Sequence, residues 1–497
     1  MHTIESVSLA DAHRIIDWVI KNRGNFLQWV ALMDITDPAR HAAWQTFTRE
    51  LIDDAHARGI RVGINVELFG QSNLQLAFDL YDDTTGTVTV ADSIAARLPL
   101  ITEGLPFDVF ALSYGEFFDA DPQLFIDSTN AVASQLRALA PATEMHAVVH
   151  VGASQVVTYM GQQLLYYFLV KFADPSIVPD LHTVMFYDLF EDTGGAYQFD
   201  NFDQHRQYLV DRMCAHQKAA YFPEDAYWVA FDDSVPQYFP LYVRSRWLDR
   251  DQLPTLAPAP CDPLDEQLLF SSGWEWGYWL HDVTALRDSY EHAASPAALI
   301  ADAFAPDLGP AAAQVVADLA EAQDHALITS RLAPYLAGRD IAIDAGRVLG
   351  VISQPDRVTF DDLAAMAPAN RAMFQASILD PLGAHADELR DGLAIDRARI
   401  RFVLATYGET LAHLAGDPTT DDAANAALAE AATIVARRHA DLHDTHGRRL
   451  VDRTPNQTYY QFGYLYQADK LCYWQRELDQ VDNIVDGGAR VLPTCLF

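Results

Sequence analysis

Acidic side chains and one histidine end most of the apolar segments in the first part of the chain. They are Asp34, Glu67, Glu116, His150, Asp188, Asp232, Asp233 and Glu275. The aromatic residues interleaved with them are Tyr114, Tyr187, Trp274 and Trp276. Carboxylates supply the acid, base and nucleophile of glycoside hydrolysis, while flat aromatic rings stack on sugar rings. The pattern predicts a carbohydrate site with Glu116, Asp232 and Asp233 as catalytic residues and the others as substrate-binding residues.

Glu116 is the strongest catalytic candidate. It ends an apolar run in the sequence SYGEF, where Gly115 lets the backbone approach a ligand closely. A single acid at such a position is ordinary in a chain with 69 acidic side chains, so the prediction depends on the collective pattern. We expect Glu116 to act as general acid/base and Asp232 or Asp233 as nucleophile or base.

Seven apolar, strand-like runs alternate with helical segments before residue 290. They lie at 26–34, 60–68, 107–117, 145–152, 182–190, 226–233 and 268–276. Repeated strand–crossover–strand units predict a parallel sheet that is buried on both faces. Seven runs at this spacing favour a TIM-like (β/α)8 barrel, and no G-x-G-x-x-G turn follows the first run to suggest a dinucleotide fold.

The first barrel strand is the weak point of this α/β assignment. Residues 2–7 are the only candidate, and they are short and weakly apolar. We therefore expect either a stunted first strand or one that lies upstream of Met1. Counting a strand before 26–34 places Glu116 after strand four and the Asp232–Asp233 pair after strand seven. Many retaining glycosidases on this barrel carry their acid/base and nucleophile there, an analogy at the level of fold.

The composition changes after about residue 290, where the barrel prediction ends. The later sequence is rich in Ala, Leu, Asp and Arg, with helical periodicity at 311–332, 397–415, 421–439 and 458–485. We predict two domains: a catalytic or glycan-binding barrel at 1–290 and an α-helical bundle at 291–497.

Charge and hydropathy exclude several classes of protein. The chain has 34 basic against 69 acidic side chains and a net charge of −35, which disfavours a nucleic-acid site. No apolar run approaches the ~20 residues of a membrane span, and the first residues do not resemble a signal peptide. We predict a soluble protein that is cytoplasmic as the sequence stands, or periplasmic or secreted if the start is truncated.

Metal and cofactor signatures are missing from the sequence. It has no H-x-H or H-E-x-x-H pattern, no G-x-S-x-G elbow and no P-loop, so neither a metal nor a cofactor is expected. The cysteines are Cys214, Cys261, Cys472 and Cys495. Because they are widely spaced and form no C-x-x-C pair, we expect four reduced thiols.

The segment 8–68 resembles the early barrel of O-GlcNAcase-like and β-hexosaminidase-like glycoside hydrolases. The matching features are Asn22 or Asn25, Trp29, Asp34, Trp44 and the sequence AHARGIRVGINVEL at 55–68. The resemblance implies a barrel followed by a helical domain, and a carbohydrate substrate. Those families place two adjacent acids after strand four, one for the substrate acetamido group and one that protonates the glycosidic oxygen. Here only Glu116 corresponds, as the acid.

Two other functions stay open. In one, the barrel binds a glycan without cleaving it, and Glu116 and the Asp232–Asp233 pair then lie much more than about 10 Å apart. Alternatively, the chain is a structural or assembly protein whose helical domain supplies the interface. That alternative predicts exposed apolar faces on the helices at 397–415 and 458–485.

Overall fold

A seven-stranded parallel sheet lies at the centre of the computed structural model. The structure describes residues 6–69, 77–82, 86–115, 121–151, 155–193, 200–225, 237–270, 278–329, 332–336, 384–445, 471–488 and 490–493. The strands in chain order are β1 (Phe26–Val30), β2 (Arg61–Glu67), β3 (Val109–Ser113), β4 (Glu144–Val149), β5 (Val156–Tyr159), β6 (Gln162–Leu165), β7 (Val178–Thr183), β8 (Ala220–Pro223) and β9 (Glu266–Gln267). The sheet order is β1-β2-β3-β4-β7-β8-β9, and β5 and β6 form a separate hairpin.

Helices follow most strands and continue after the sheet ends. Those that accompany the sheet are α1 (Ser6–Lys21), α2 (Pro38–Ala57), α3 (Val90–Thr102), α4 (Pro122–Leu139), α5 (Asp203–Cys214), α6 (Leu241–Leu256) and α7 (Tyr278–Tyr290). The later ones are α8 (Pro296–Leu308), α9 (Pro310–Gln323), α10 (Ala333–Leu336), α11 (Ala384–Ala415), α12 (Asp422–Thr445) and α13 (Cys472–Val485). Local sequence explains two sharp starts, because Asp37 and Asp121 cap α2 and α4 and each precedes a proline.

The sheet is curled into a half-barrel. Arg61 on β2 donates hydrogen bonds to Glu144 on β4 at 3.0 Å and to Glu266 on β9 at 2.7 Å. In a flat sheet β2 and β9 would be about 24 Å apart, five strand spacings, which is beyond the reach of one side chain. Phe26 on β1 also packs in the same cluster as Val178 and Ala220. The two edges of the sheet therefore approach one another.

The parallel register assigns polar residues to the concave face. Residues paired across neighbouring strands share a face, and side chains alternate between faces along each strand. The concave face carries Gln28, Arg61, Asn65, Glu67, Ser113, Glu144, His146, Asp180 and His182. The convex face is apolar and packs against the helices, as Ile64, Phe110 and Leu181 show with no exposed surface. Gly63 leaves room inside, since a Cβ there would lie 2.7 Å from the Phe26 ring.

Four of the seven predicted strands are confirmed, and two are displaced. The runs at 26–34, 60–68, 107–117 and 145–152 contain or overlap β1, β2, β3 and β4, whereas the run at 182–190 shares only its first two residues with β7. The run at 226–233 lies outside the described residues, and the strand of the sheet that precedes it is β8. Strand β8 pairs with Asp180–Thr183 of β7. The sequence prediction instead placed a strand in the longer apolar run that follows β8. Strand β9 precedes the predicted run at 268–276.

The predicted first strand is wrong for the residues that can be compared. Ser6 and Val7, the end of the candidate at 2–7, belong to helix α1. Residues 1–5 lie outside the described part. The polar, helix-compatible sequence that follows, SVSLADAHRIIDW, explains why the helix begins so early.

The later helices pack onto the α/β part through buried contacts. Asp396 of α11 accepts a hydrogen bond from the Tyr238 amide at 2.8 Å. Gln323 of α9 donates to the Tyr238 carbonyl at 2.8 Å. Arg399 of α11 pairs with Glu477 of α13 at 2.7 Å, with neither side chain exposed. No helix within the described residues is long and apolar enough to cross a membrane.

The expectation of reduced thiols is wrong. Cys214, at the end of α5, forms a disulfide with Cys261, which lies 47 residues later in the segment after α6. Cys472 is disulfide-bonded as well, while Cys495 lies outside the described residues. The amide of Asp262 donates to the Met213 carbonyl at 3.0 Å, so the fold brings the two segments together. The spacing of the cysteines along the chain does not predict this contact.

We predict that Cys214→Ser lowers the free energy of unfolding by about 4 kcal/mol, because the crosslink constrains a loop of this length in the unfolded chain. Urea denaturation of the oxidised proteins measures the change. Cys261→Ser and the double variant serve as matched controls and should give the same loss. Equal midpoints for wild type and all three variants would show that the crosslink does not stabilise the fold.

Candidate functional site

Polar side chains gather where the strands of the concave face end. Glu67 ends β2 and is in register with Ser113, which ends β3. The Ser113 hydroxyl donates to the Asn65 side-chain oxygen at 3.2 Å. The backbone of Glu67 is fixed on both sides, since its amide donates to Phe78 at 2.9 Å and its carbonyl accepts from Leu80 at 2.8 Å. These half-exposed residues form one wall of the carboxyl end of the half-barrel.

Two histidines form the opposite part of this wall. His150 directly follows β4, His182 lies on β7, and their ring centroids are 4.7 Å apart. Nδ1 of His182 donates to the carbonyl of Phe222 at 2.8 Å. Burial lowers the pKa of His150 to about 4 and that of His182 well below its usual value. Both rings are therefore neutral at pH 7, and Nε2 of His182 is a hydrogen-bond acceptor.

Glu224 lies next to this acceptor and was missed in the sequence. It directly follows β8, with its amide bonded to Thr183 at 3.0 Å. One carboxyl oxygen is 3.9 Å from Nε2 of His182, and the other accepts from the Met185 amide. A ligand hydroxyl placed between the neutral imidazole nitrogen and the carboxyl group could donate a hydrogen bond to either of them. The signal in the sequence is an acid directly after the short apolar run AAYFP.

Arg246 of α6 holds the backbone at the ends of β7 and β8. Its buried guanidinium donates to the carbonyl of Glu224 at 3.1 Å and to the carbonyl of Tyr187. Its Nε lies 3.4 Å from a carboxyl oxygen of Asp249, which accepts from Tyr221 at 2.8 Å and from the Leu189 amide at 2.7 Å. The position of Glu224 therefore depends on a residue that lies outside the concave face.

A buried carboxyl pair lies behind Glu224. Asp225 has no exposed surface, and its carbonyl accepts from Nδ1 of His281 on α7 at 2.8 Å. Asp282 on α7 is also buried, and it interacts with the Asp225 carboxyl group. Burial raises the pKa of Asp225 to about 7. The buried Asp225 carboxyl group is therefore protonated in acidic solution and loses this proton as the pH rises to about 7.

Several residues predicted to bind substrate make packing contacts instead. Tyr114 faces α4, where its hydroxyl accepts from Thr129 at 3.2 Å and its ring centre is 4.3 Å from that of Phe125. Tyr187 is buried against Phe186, with ring centres 4.9 Å apart. The sequence could not distinguish these orientations, because aromatic side chains suit both a sugar platform and a core.

Two predicted acids stabilise turns. Asp188 is buried and accepts hydrogen bonds from the amides of Phe190 at 2.7 Å and Glu191 at 2.8 Å. Asp34 lies in a short 3-10 turn after β1 and accepts from Arg40 at 2.6 Å. Of the predicted site residues, Glu67 and His150 are the ones that the described structure brings to the concave wall.

The catalytic candidates lie outside the described residues. These are Glu116, Asp232 and Asp233, together with the predicted binding residues Trp274, Glu275 and Trp276. The segment that leads to Glu116 is well defined. Gly115 has a φ of +77°, and its carbonyl accepts from the Tyr167 hydroxyl at 2.5 Å. The roles of all six residues stay predictions.

Comparison with known proteins identifies the fold. No protein-family model and no curated protein sequence matches the chain. The structure matches that of a GH138 enzyme targeting pectin rhamnogalacturonan II, with a TM-score of 0.54 and 11% sequence identity over 98% of this chain and 65% of that one. The fold resembles that of a glycoside hydrolase. This confirms at the level of fold the resemblance noted for 8–68.

Two further solved structures are more distant. CpGH84B matches with a TM-score of 0.43 and 9% identity, covering 87% of this chain and 71% of that one. A variant of the Thermobaculum terrenum O-GlcNAc hydrolase matches with a TM-score of 0.43 and 10% identity, covering 96% and 94%. At such values neither supports an assignment. The chain spans about two thirds of the GH138 enzyme, and at 11% identity that likeness extends to the fold only.

We predict that Asp225→Asn stabilises the protein relative to wild type as the pH rises. An acid whose pKa is raised on folding favours the folded state below its ordinary pKa, near 4, and this contribution is lost as the pH rises to about 7. The difference in unfolding free energy should therefore shift toward the variant by on the order of 2–4 kcal/mol between pH 4 and pH 7.

Urea denaturation at a series of pH values measures this shift. Asp53→Asn, which changes an exposed acid on α2, is the matched control and should show no such trend. A constant difference between wild type and Asp225→Asn across the range would contradict a raised pKa of Asp225 in the folded protein.

Proposed function

We propose that the protein hydrolyses a glycosidic bond at the carboxyl end of the concave face. The observation that carries this proposal is the convergence of Glu67, His150, His182 and Glu224 on one edge of a curled parallel sheet. Active sites of parallel barrels are built at this edge. Neutral imidazoles and carboxylates are suited to the hydroxyl groups of a sugar, so a carbohydrate is the proposed substrate. We also propose that the half-barrel belongs to a TIM-like barrel at 1–290, followed by a helical domain at 291–497.

Two carboxyl groups would carry the reaction, one from each side of the site. Glu116, two residues after Tyr114, is the proposed general acid/base. Glu224 joins Asp232 and Asp233 as a candidate for the nucleophile or base, and its position directly after β8 supports it. A separation of about 5–5.5 Å between the two functional carboxyl groups gives retention of configuration, and about 6.5–9.5 Å gives inversion.

The remaining predicted residues would surround the sugar. Glu67 and His150 are supported as substrate contacts by their place on the concave wall. Trp274 and Trp276 are the proposed stacking platform, with Glu275 beside them. A substrate-binding role is less well supported for Asp34, Tyr114, Tyr187 and Asp188, because their described contacts are with the protein itself.

We predict that Glu116→Gln lowers kcat on aryl glycosides by 10²–10⁴-fold without changing the fold, since a positioned acid/base contributes about this much. Glu224→Gln, Asp232→Asn and Asp233→Asn, tested in parallel, identify the second carboxyl group as the one with a comparable loss. Glu103→Gln, on the exposed surface, is the matched control. Circular dichroism verifies that each variant is folded.

The outcomes separate hydrolysis from binding alone. Activity of Glu116→Gln equal to wild type removes Glu116 from the mechanism. A wild-type protein that binds glycans on an array but cleaves none is a glycan-binding barrel. Burial of Phe402 on α11 and of Trp474 and Leu478 on α13, each at most 1% exposed within a single chain, weighs against the assembly alternative, whereas Leu414 on α11 is 48% exposed.

We further propose that the protein functions in an oxidising compartment, periplasmic or extracellular. The disulfide between Cys214 and Cys261 supports this location, since structural disulfides persist where thiols are not kept reduced. Mass spectrometry of protein from its native source, alkylated before and after reduction, tests it. Alkylation of Cys214 and Cys261 without reduction would place the protein in a reducing compartment.

A further inference from the structure

Six charged or ionisable side chains meet at the amino ends of the strands, opposite the candidate site. They are Arg61 on β2, Glu144 and His146 on β4, Asp180 on β7, Lys218 just before β8 and Glu266 on β9. Arg61 bonds to Glu266 at 2.7 Å and Glu144 at 3.0 Å, and Lys218 bonds to Glu144 at 2.6 Å. We call this group the floor cluster. It connects four strands of the main sheet and the segment before a fifth.

His146 lies between two of the acids. Its Nδ1 is 2.7 Å from Asp180, and its Nε2 is 3.8 Å from Glu144. His146 and Asp180 have no exposed side-chain surface. The three carboxylates carry three negative charges, while Arg61 and Lys218 supply two positive charges. A protonated His146 completes the balance, and only the protonated ring carries an N–H toward both acids.

The floor cluster lies across the open side of the sheet. Strands β1 and β9 are the two edges, and within the described residues they share no ladder of hydrogen bonds. Arg61, one strand in from β1, reaches Glu266 on β9 across this gap. Directly beside it, Phe26 of β1 packs with Val178 and Ala220. The ion pair and this apolar cluster both span the open side of the sheet.

We propose that the floor cluster is an electrostatic clasp that holds the two edges of the half-barrel together and that requires His146 as a cation. Its conformational consequence is that deprotonation of His146 loosens the contact between β1 and β9. The clasp lies at the opposite end of the sheet from the proposed site of hydrolysis, and it does not depend on that proposal.

The surrounding charges agree with a cationic His146. Burial lowers the pKa of His146, but Asp180, Glu144 and Glu266 outweigh burial and raise it to about 10. The hydrogen bond from His146 and the ion pair with Lys218 lower the pKa of Glu144 to about 2, against the effect of burial. The contribution of His146 is therefore complete below pH 6.5 and is lost as the pH rises through 10. That of Glu144 is complete above pH 4.5 and is lost as the pH falls through 2.

A metal ion is the competing occupant of this cluster. Donor atoms of Glu144, His146 and Glu266 lie within 4.8 Å of one another, a spacing that a divalent cation could bridge after small adjustments. However, the guanidinium of Arg61 already bonds both carboxylates. A bound metal would have to displace it and would leave an unpaired cation nearby, so the ion-pair assignment is favoured.

The test combines an observation of the wild-type protein with variants. Nitrogen-15 spectra of selectively labelled histidine should show an imidazolium signal at pH 8 that is absent in His146→Gln. Hydrogen exchange monitored by mass spectrometry should show the peptides over 25–30 and 262–270 exchanging at least tenfold faster in His146→Gln and Arg61→Gln than in wild type. In wild type the same peptides should lose protection between pH 9 and pH 11, relative to peptides in α12.

Arg49→Gln is the matched control, because it removes an exposed cation from α2, outside the floor cluster. It should leave exchange in both peptides within twofold of wild type. A neutral His146 at pH 8 overturns the proposal even if the variants fail to fold. Unchanged exchange in folded His146→Gln and Arg61→Gln also overturns it. So does a saturable rise in melting temperature with Zn²⁺ that is lost in His146→Gln, since the site would then hold a metal.

Discussion

The curvature of the sheet is the constraint on which the rest of the structure depends. Side chains that would be solvated on a flat sheet are turned into an enclosed space, where every charge needs a partner or must be neutralised. The concave face nevertheless carries acids, histidines and amides from one end to the other. The structure satisfies them differently at the two ends, and that difference separates the floor from the candidate site.

In the floor cluster the positive and negative charges nearly balance, and the charged groups lie close to one another. Arg61, Lys218 and His146 face three carboxylates at short distances, so the groups compensate one another. At the carboxyl end, Glu67, His150, His182 and Glu224 include no base that is charged at neutral pH. The Glu224 carboxyl group there accepts a hydrogen bond from the Met185 backbone amide.

The sequence predicted those parts of the fold that depend on local pattern. The first four strands and most helices were located correctly, because apolar runs, proline and capping aspartates act over a few residues. The expectation that acids at strand ends mark the site stays a prediction. It was applied to Asp232 and Asp233, however, because the short strand at Ala220–Pro223 has a weaker apolar signal than the sequence after it. Glu224 was missed for that reason.

Other features depend on contacts that no local pattern records. The disulfide between Cys214 and Cys261 forms because α5 and the turn after α6 meet in space. The orientation of Tyr114 toward α4, rather than toward the concave face, follows from the register of β3. A shift of one residue would have reversed it. The buried position of Arg246 depends on two strand ends and two helices together.

The scarcity of bases makes their positions informative. The chain has 34 basic against 69 acidic side chains, and this excess of acids gives the net charge of −35. Three arginines nevertheless each connect separate elements of the fold. Arg61 joins the two edges of the sheet, Arg246 holds the ends of β7 and β8, and Arg399 connects α11 to α13.

Each of these junctions fixes the relative position of elements that local sequence does not connect. Arg246 is the one nearest the candidate site, and its bonds are to backbone carbonyls rather than to Glu224's carboxyl group. It therefore positions Glu224 through its backbone, and the placement of this acid depends on the packing of α6 against the ends of β7 and β8.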